Sequence, residues 1–370
     1  MSSNSLVRLF QPFLKDRFLH ILLVAGVLML AINPQQLPAL SGFIDWRTII
    51  TLLGLMLLTK GVEVSGYFDF IGRKIVNTLH SERRLALFLV FSAALLSSFL
   101  TNDVALFIVI PLTITLKKLS SLPISRLIIF QALAVNAGSL LTPIGNPQNI
   151  LLWSKSSLSF LAFIAQMAPF GAAMLASLLL LTWFSFPARE IVKAPHTEGY
   201  PYQRRLLLSC VALYVIFLLC LDIDLPLYGL LAVFAGFLLL ARRVLLQIDW
   251  SLIFVFIAMF IDVGLFTRLE AVQPWFADIA RLGEGGIYAL GIGLSQVISN
   301  VPATILLLNY VPSSPLLAYA VNAGGFGLAI GSLANLIALR MAGERKIWLK
   351  FHYYSLPLLA WSGLLGWLLA

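Results

Sequence analysis

Amide, hydroxyl and glycine residues concentrate at four places in an otherwise apolar chain: the tripeptides beginning at Thr101 and Ser299, and residues 145–149 and 331–335. Side-chain amides both donate and accept hydrogen bonds. A helix interrupted within a membrane presents N–H groups to an anion and carbonyl groups to a cation. These residue types therefore predict a binding site for a small ion. The candidate site residues are Thr101, Asn102, Asp103, Gly145, Asn146, Gln148, Asn149, Ser299, Asn300, Gly331, Ser332 and Asn335.

Four ionisable residues fall inside apolar segments, where such groups are functional candidates. Asp103 adjoins a polar tripeptide and is the first candidate for exchanging a proton or a coupling cation. Asp262 lies about 18 Å into its segment at helical rise, where it could titrate, bind a cation or pair with a neighbouring helix. Lys60 and Glu63 are three residues apart on one helix face, so a structural ion pair is an equal alternative for them.

The elements that must position these residues occur twice. Residues 134–150, AVNAGSLLTPIGNPQNI, align with residues 320–336, AVNAGGFGLAIGSLANL, at an offset of 186. Upstream, FLTNDVA at 99–105 aligns with VISNVPA at 297–303 at an offset of 198, which pairs Asn102 with Asn300. Further upstream, the Ile-Asp-Trp sequences at 44–46 and 248–250 align at an offset of 204. Paired interrupted apolar segments are typical of membrane proteins built from repeats.

Composition indicates a membrane protein, because the chain is 60% hydrophobic and 11% charged, whereas soluble domains carry about 25% charged residues. A helix needs roughly 20 apolar residues to cross a bilayer core. We predict an all-α polytopic protein with about nine spans and two hairpins. The predicted spans are 17–33, 46–66, 124–152, 160–184, 206–221, 226–241, 251–267, 316–340 and 350–369.

Residues 85–117 and 286–311 are each too long for one crossing and carry a polar tip in the middle. We interpret each as a re-entrant hairpin, with two tightly connected full spans as the alternative. With both hairpins re-entrant, twenty of the 25 Lys and Arg residues fall on one side and four on the other, and Lys60 lies within a span. This bias identifies the first side as cytoplasmic. The predicted N-terminus is then cytoplasmic and the C-terminus lies outside.

This topology makes the two repeats inverted. Repeat one covers 17–184, with its hairpin at 85–117 and a broken helix at 124–152. Repeat two covers 226–369, with its hairpin at 286–311 and a broken helix at 316–340. Residues 185–225 form a cytoplasmic linker and a linking span between them.

The motifs LTNDVALFIVIPL, LTPIGNPQNILL, SNVPATILLL and GSLANLIAL resemble those of the ion transporter superfamily, as does the segment containing Asp45-Trp46. That superfamily includes arsenite permeases, sodium/proton antiporters of the NhaD type, and citrate and dicarboxylate carriers. The resemblance covers most of the chain, which is also close to small bacterial inner-membrane members. It implies a bacterial inner-membrane location, two inward-pointing hairpins, two broken helices, a central site and elevator-like alternating access.

The tips depart from the dicarboxylate-carrier pattern, in which each tip reads Ser-Asn-Thr. Here Asp103 and Val301 stand in the third positions, and Asp103 would repel a carboxylate substrate. The Asn-Asp tip is more similar to the arsenite-permease branch.

We therefore expect a secondary transporter, and not an enzyme, that moves a small inorganic anion or oxyanion coupled to H⁺ or Na⁺. A Na⁺/H⁺ antiporter is the alternative, and an ion channel or an intramembrane enzyme is the alternative of another class. The chain has no Walker loop, HExxH or GxSxG motif. The expected partners are a small ion and the bilayer, with a homodimer left open. We expect no nucleic acid, no cofactor and no bound metal beyond Na⁺ at the hairpin tips.

Overall fold

The computed structural model describes residues 13–14, 16–119, 121–191, 202–223, 225–274 and 278–370. Within these ranges every named element is a helix. The α-helices are α1 Arg17–Ile32, α2 Leu40–Phe43, α3 Trp46–Val64, α4 Tyr67–Thr78, α5 Glu82–Phe99, α6 Asn102–Leu119, α7 Ile124–Ser139, α8 Pro147–Lys155, α9 Phe160–Ser185, α10 Arg204–Asp222, α11 Pro226–Leu240, α12 Arg242–Gln247, α13 Trp250–Phe266, α14 Glu284–Ile298, α15 Asn300–Leu308, α16 Pro315–Gly324, α17 Leu333–Ala342 and α18 Ile347–Leu369. Short 3₁₀ helices cover Pro34–Ala39, Ile279–Arg281 and Ala329–Gly331.

The helices follow the apolar segments of the sequence closely. Each predicted unbroken span coincides with one helix to within a few residues, and each predicted broken span is divided into two helices, α7 with α8 and α16 with α17. The two predicted hairpins are also divided, α5 from α6 and α14 from α15. The all-helical class is therefore confirmed for the described residues, whereas the number of crossings and the inverted arrangement stay predictions.

Length and hydropathy alone support few full crossings. Among the described residues, α9 and the stretch Arg204–Leu221 of α10 are long and apolar enough to span a membrane, and a bent pair ending in α3 would add a third. Five other apolar helices have 10–17 residues. The hairpin helices differ in length: α5 and α6 have 18 residues each, about 27 Å, whereas the nine residues of α15 span about 14 Å and are too short to cross.

The chain divides into two compact units that each draw on both predicted repeats. Unit 1 contains residues 1–67 and 200–277, and unit 2 contains 68–199 and 278–370. Every hairpin and every broken helix lies in unit 2. The predicted linker begins in unit 2, and its residues 192–201 lie outside the described residues, as do Arg8, Lys15 and Lys193 of the charge count.

Within unit 1, the two Ile-Asp-Trp sequences start their helices in the same way. Asp45 caps α3 by accepting from the backbone N–H of Thr48 at 3.1 Å, and Asp249 caps α13 by accepting from Leu252 at 3.2 Å. The indole of Trp46 donates to the carbonyl of Ser41, and the indole of Trp250 donates to that of Leu245, each five residues upstream. The repeated motif is thus a repeated helix start.

Within unit 2, the first halves of the broken helices form the core. Helix α7 is buried on all sides over most of its length, and α16 is buried from Leu317 to Gly324. Helix α5 packs against α7, and α14 packs against α16. The matched glycines Gly138 and Gly324 permit this packing. A Cβ at Gly138 would lie 1.9 Å from the carbonyl oxygen of Ala94, and one at Gly324 would lie 2.4 Å from the Cβ of Ser295.

Unit 2 also brings together loops that the charge bias assigns to one side. Arg83 donates to the carbonyl of Phe186 at 2.9 Å, Arg126 donates to that of Ser185 at 2.7 Å, and Arg189 pairs with Glu82 at 2.6 Å. On the side assigned to the exterior, the hydroxyl of Ser313 donates to the carbonyl of Leu152. The side of the membrane on which each group of loops lies stays a prediction.

Candidate functional site

The tip of the first hairpin rests on the interruption of the first broken helix. Leu100 and Thr101 separate α5 from α6, and the backbone N–H of Asn102 donates to the carbonyl of Gly145 at 2.8 Å. The side chain of Asn102 turns back to accept from the N–H of Asp103 at 2.9 Å. Asn102 and Asp103 therefore form the first turn of α6, and Thr101 directly precedes it. The first tip and residues 145–149 are in direct contact, as the candidate site requires.

Four buried asparagines join the two broken helices across the repeats. The amide of Asn136 in α7 donates to the side-chain oxygen of Asn335 in α17 at 2.9 Å. The amide of Asn322 in α16 donates to the side-chain oxygen of Asn149 in α8 at 2.8 Å. The offset of 186 converts one pair into the other. The first half of each broken helix is thus bonded to the second half of the other.

A second matched pair of bonds adds to this network. Ser332, which caps α17, donates to the side-chain oxygen of Asn136 at 3.0 Å. Asn146, which caps α8, donates to the side-chain oxygen of Asn322 at 3.2 Å, and Gln148 approaches the same oxygen at 3.4 Å. Ser332 and Asn146 also differ by 186. The network therefore has an internal twofold pattern, which supports the proposed repeat relationship.

The amides of Asn149 and Asn335 satisfy carbonyl groups that the interruptions leave free. Asn149 donates to the carbonyls of Leu140 and Thr142, each at 3.0 Å, where α7 has ended. Asn335 donates to the carbonyl of Gly325 at 2.9 Å, where α16 has ended. Gly145 and Gly331 lie where the chain returns against the preceding half-helix. An added Cβ would come within 2.2 Å of the Ser139 carbonyl oxygen and within 2.7 Å of that of Gly324, respectively.

The tip of the second hairpin is a single residue in a strained conformation. Ser299 separates α14 from α15 with φ 72° and ψ 156°, and it is the only described residue other than glycine with a positive φ. That backbone region is populated almost entirely by glycine. The next residue, Asn300, is buried, and its amide nitrogen would lie 3.2 Å from a Cβ placed on Gly325. The second tip therefore adjoins the second interruption.

The structure adds residues that the candidate list left out. Asn136 and Asn322 are not among the candidate site residues, although their identity at equivalent positions is a usable sequence signal. Gln296 had no such signal. It donates to the carbonyl of Gly324 at 2.8 Å and accepts from the N–H of Leu328 at 2.7 Å. Its equivalent at offset 198 is Ser98, which donates to the carbonyl of Gly138 at 3.0 Å. Different side chains thus join each hairpin to its broken helix.

Three polar atoms of the candidate residues are buried without a hydrogen-bond partner among the described residues: Asp103 Oδ1, Gln148 Oε1 and Ser299 Oγ. Unpaired buried polar atoms are costly and call for an explanation. They occur at both tips and at the first interruption.

The remaining ionisable candidates belong to unit 1. Lys60 and Glu63 form an ion pair at 3.0 Å, which is the structural alternative considered for them. Asp262 in α13 faces α1, because a Cβ on Gly26 would lie 2.5 Å from its Oδ1. Its Oδ2 has no partner among the described residues. The residues at the hairpin tips and interruptions are therefore connected within unit 2, and these three are not part of that network.

Among the described residues no group of three or more His, Cys, Asp or Glu side chains could hold a metal ion. Two cavities in unit 2 lie away from the tips. One, of about 250 Å³, is lined by residues of the 123–129 and 350–354 segments. The other, of about 550 Å³, is lined by residues of the 155–166 and 308–315 segments.

Hairpin tips that meet interrupted helices, with buried amides between them, are an arrangement found in membrane transport proteins. Residues 10–314 match the family described as "Citrate transporter". The chain therefore belongs to the citrate transporter family, which confirms the superfamily membership expected from its motifs.

Similar proteins agree with this membership. The chain is 59% identical over 362 residues to the inner membrane protein YbiR of Escherichia coli, with 97% of each chain covered. It is 32% identical over 335 residues to an uncharacterized transporter of Methanocaldococcus jannaschii, with 88% of this chain and 90% of that protein covered. It is 26% identical over 339 residues to an uncharacterized transporter of Mycobacterium tuberculosis, with 81% and 79% covered. These findings indicate a transporter of the bacterial inner membrane and not an enzyme.

Proposed function

We propose that unit 2 binds a small inorganic anion or oxyanion and moves it by alternating access, coupled to H⁺ or Na⁺. One observation carries this proposal. Each hairpin tip lies beside the interruption of a broken helix, and matched pairs of asparagines join the two broken helices. Helices α6, α8, α15 and α17 all begin at these interruptions and tips. Each half-helix N-terminus contributes partial positive charge, which favours an anion.

The donor set supports weak and reversible binding. None of the twelve candidate site residues is a Lys or Arg, so an anion would be held by neutral donors, such as the amides of Asn102 and Asn300 and the hydroxyl of Ser299. A substrate that must leave on the other side of the membrane is served by such neutral donors. The family description names citrate, but a tricarboxylate beside Asp103 would meet like charge. We therefore propose a smaller, weakly charged or singly charged ion.

Asp103 supports coupling to a cation. It is the one acidic residue among the candidate site residues, and its Oδ1 is buried without a partner among the described residues. A proton or Na⁺ at this carboxylate would remove its repulsion of an anion. Loading of the cation would then favour loading of the anion, which is the basis of coupled transport.

A Na⁺/H⁺ antiporter is the second candidate, because the same carboxylate and the carbonyl groups freed at the interruptions could alternately hold Na⁺ and H⁺ with no anion involved. The asymmetry of the tips favours it, since Val301 replaces the acidic residue in the second repeat.

Purified protein reconstituted in liposomes separates these functions. Uptake of arsenite, phosphate, sulfate, nitrate and citrate would be measured with an imposed pH or sodium gradient, with pH- and sodium-sensitive dyes inside the vesicles. Saturable uptake of one anion, driven by a gradient, is the expected result. Na⁺/H⁺ exchange that persists without any transported anion would establish the antiporter. Flux that neither saturates nor responds to a gradient would refute both and indicate a channel.

A further inference from the structure

The smaller cavity of unit 2 is built from the N-terminal parts of α7 and α18 and lies apart from the tips and interruptions. It has a volume of about 250 Å³, and its lining includes Ser125, Arg126, Ile129, Lys350, Tyr353 and Tyr354. The combination of two cations, two phenols and an apolar wall is not used by the proposed transport site.

The two cations are positioned differently. Arg126 is fixed, because its guanidinium donates to the carbonyl of Ser185 at 2.7 Å and lies 5.6 Å from the ring centroid of Phe186. A guanidinium has five N–H donors, so most remain for a ligand. Lys350 is exposed at the rim. The ion pairs found among the described residues include neither of them.

The acidic residue Glu344 contacts Ser125, which lines this cavity. Glu344 accepts a hydrogen bond from the hydroxyl of Ser125, and it lies 3.8 Å from the Nζ of Lys117. Its negative charge is therefore already engaged by a donor and a cation. The start of α7 adds partial positive charge, because its first-turn N–H groups have no partner within the helix. The residues that line the cavity include two cations and no carboxylate.

The aromatic and apolar residues distinguish a lipid from a free anion. Tyr354 packs its ring against Phe130 at 5.0 Å between centroids, whereas Tyr353 is 76% exposed. Helix α18 also exposes Leu349, Leu356 and Leu364 along its length. Exposed tyrosine near the end of an apolar helix is typical of the membrane interface. An acyl chain could follow these leucines while its head group occupies the cavity.

We propose that this cavity binds the phosphate of an anionic phospholipid head group, through Arg126, Lys350 and the two phenols. Basic pockets between helices near the membrane surface bind such head groups. The cavity would then hold α7, the central helix of unit 2, to the surrounding bilayer through a lipid.

The test uses the full chain purified in detergent and depleted of lipid. Phosphatidylglycerol, phosphatidylcholine and inorganic phosphate are added at matched concentrations, and thermal unfolding and native mass spectrometry are recorded. Lys350→Gln removes a lining cation. Lys346→Gln is the matched control, because it removes the same charge from the start of the same helix without lining the cavity. Tyr353→Phe, which removes only an exposed hydroxyl, is a second variant that should fold normally.

Phosphatidylglycerol should raise the unfolding temperature of the unmodified protein and remain bound in the mass spectrum, whereas phosphatidylcholine should do neither. Lys350→Gln should require about fivefold more phosphatidylglycerol for the same shift, since the loss of one direct lysine contact with an anionic lipid costs about that factor, and Tyr353→Phe should also need more. Lys346→Gln should match the unmodified protein. Equal behaviour of the two lysine variants, or equal effects of the two lipids, would overturn the proposal. If inorganic phosphate had the same effect as phosphatidylglycerol, the cavity would be a site for a free anion, and the proposal of a lipid site would be overturned.

Discussion

The side-chain amide of Asn136 lies 2.9 Å from the side-chain oxygen of Asn335, and 199 residues of sequence separate them. Both residues are buried, and Asn322 and Asn149 repeat the bond at 2.8 Å. A buried amide that loses its partner keeps its desolvation cost without the bond. The packing of unit 2 therefore depends on residues from both halves of the chain at once.

A double-mutant cycle should detect this dependence. Asn136→Ala and Asn335→Ala should each lower the free energy of unfolding by about 1–3 kcal/mol. The double variant should lose less than the sum, with a coupling of about 0.5–3 kcal/mol. Thermal or denaturant unfolding in detergent measures all three. Thr182→Ala, whose hydroxyl donates to the carbonyl of Leu178 in its own helix, should combine additively with Asn136→Ala. Additivity of the asparagine pair would contradict the network.

The tip asparagines should control transport. Asn102→Ala and Asn300→Ala should each remove most uptake in liposomes, because each removes an amide beside an interruption, while expression stays near normal. Asn309→Ala is the matched control, since Asn309 follows α15 and is exposed, and its uptake should be unchanged. Full uptake by both tip variants would locate the site elsewhere.

Replacing Ser299 should change stability and transport in opposite directions. Ser299→Gly relieves a positive φ that glycine adopts freely, so it should raise the free energy of unfolding by about 1–3 kcal/mol, while uptake falls because the tip hydroxyl is lost. Ser314→Gly, at an extended helix cap that binds the Leu317 N–H, should instead lower stability by a few tenths of a kcal/mol. A Ser299→Gly variant that is less stable, or one that transports normally, would count against the role given to this residue.

Asp103 should couple transport to a gradient. Asp103→Asn keeps the size and hydrogen-bonding capacity of the side chain but cannot ionise. The variant should still bind ligand in a thermal-shift assay, and its uptake should no longer respond to an imposed pH or sodium gradient. Asp262→Asn, made in the other compact unit, is the comparison. If Asp103→Asn uptake stays fully gradient-driven and Asp262→Asn uptake does not, the coupling residue is Asp262.

Cysteine labelling should test the topology. In a variant with Cys210 and Cys220 replaced by serine, Ile223→Cys and Ser313→Cys should react with an impermeant thiol reagent added to intact cells. Arg345→Cys should react only after the membrane is opened, because the charge bias places its loop in the cytoplasm. Reaction of Arg345→Cys from outside would refute the predicted orientation.

The sequence predicts the interruptions well because their signals are local. Asn and Gly at offsets of 186 and 198 mark where helices end, and the helix ends lie within a few residues of the prediction. The alternative considered for Lys60 and Glu63, an ion pair three residues apart, is also what the structure contains. Short-range spacing is sufficient for both predictions.

Long-range partners could not be predicted in the same way. Alignment pairs Asn136 with Asn322, but these two do not bond to each other. Asn136 bonds to Asn335 and Asn322 bonds to Asn149, so each bond joins one repeat to the other. The alignment does not indicate a role for Gln296, because its equivalent, Ser98, is a different residue type. Both side chains nevertheless donate to a glycine carbonyl. Each compact unit likewise combines segments of both repeats. The order of the segments along the sequence does not predict which of them pack together.

The asparagine bonds between the two halves of the chain can form only after the second half has been synthesised. A ribosome adds about 5–20 residues per second, so Asn335 leaves the ribosome about 10–40 s after Asn136. During that interval the first broken helix is already made, while the amides of Asn136 and the oxygen of Asn149 still lack their partners. The membrane insertion machinery, lipid or water must shield these groups until the second half arrives. A chain truncated before residue 322 would present them permanently and become a target for membrane proteases.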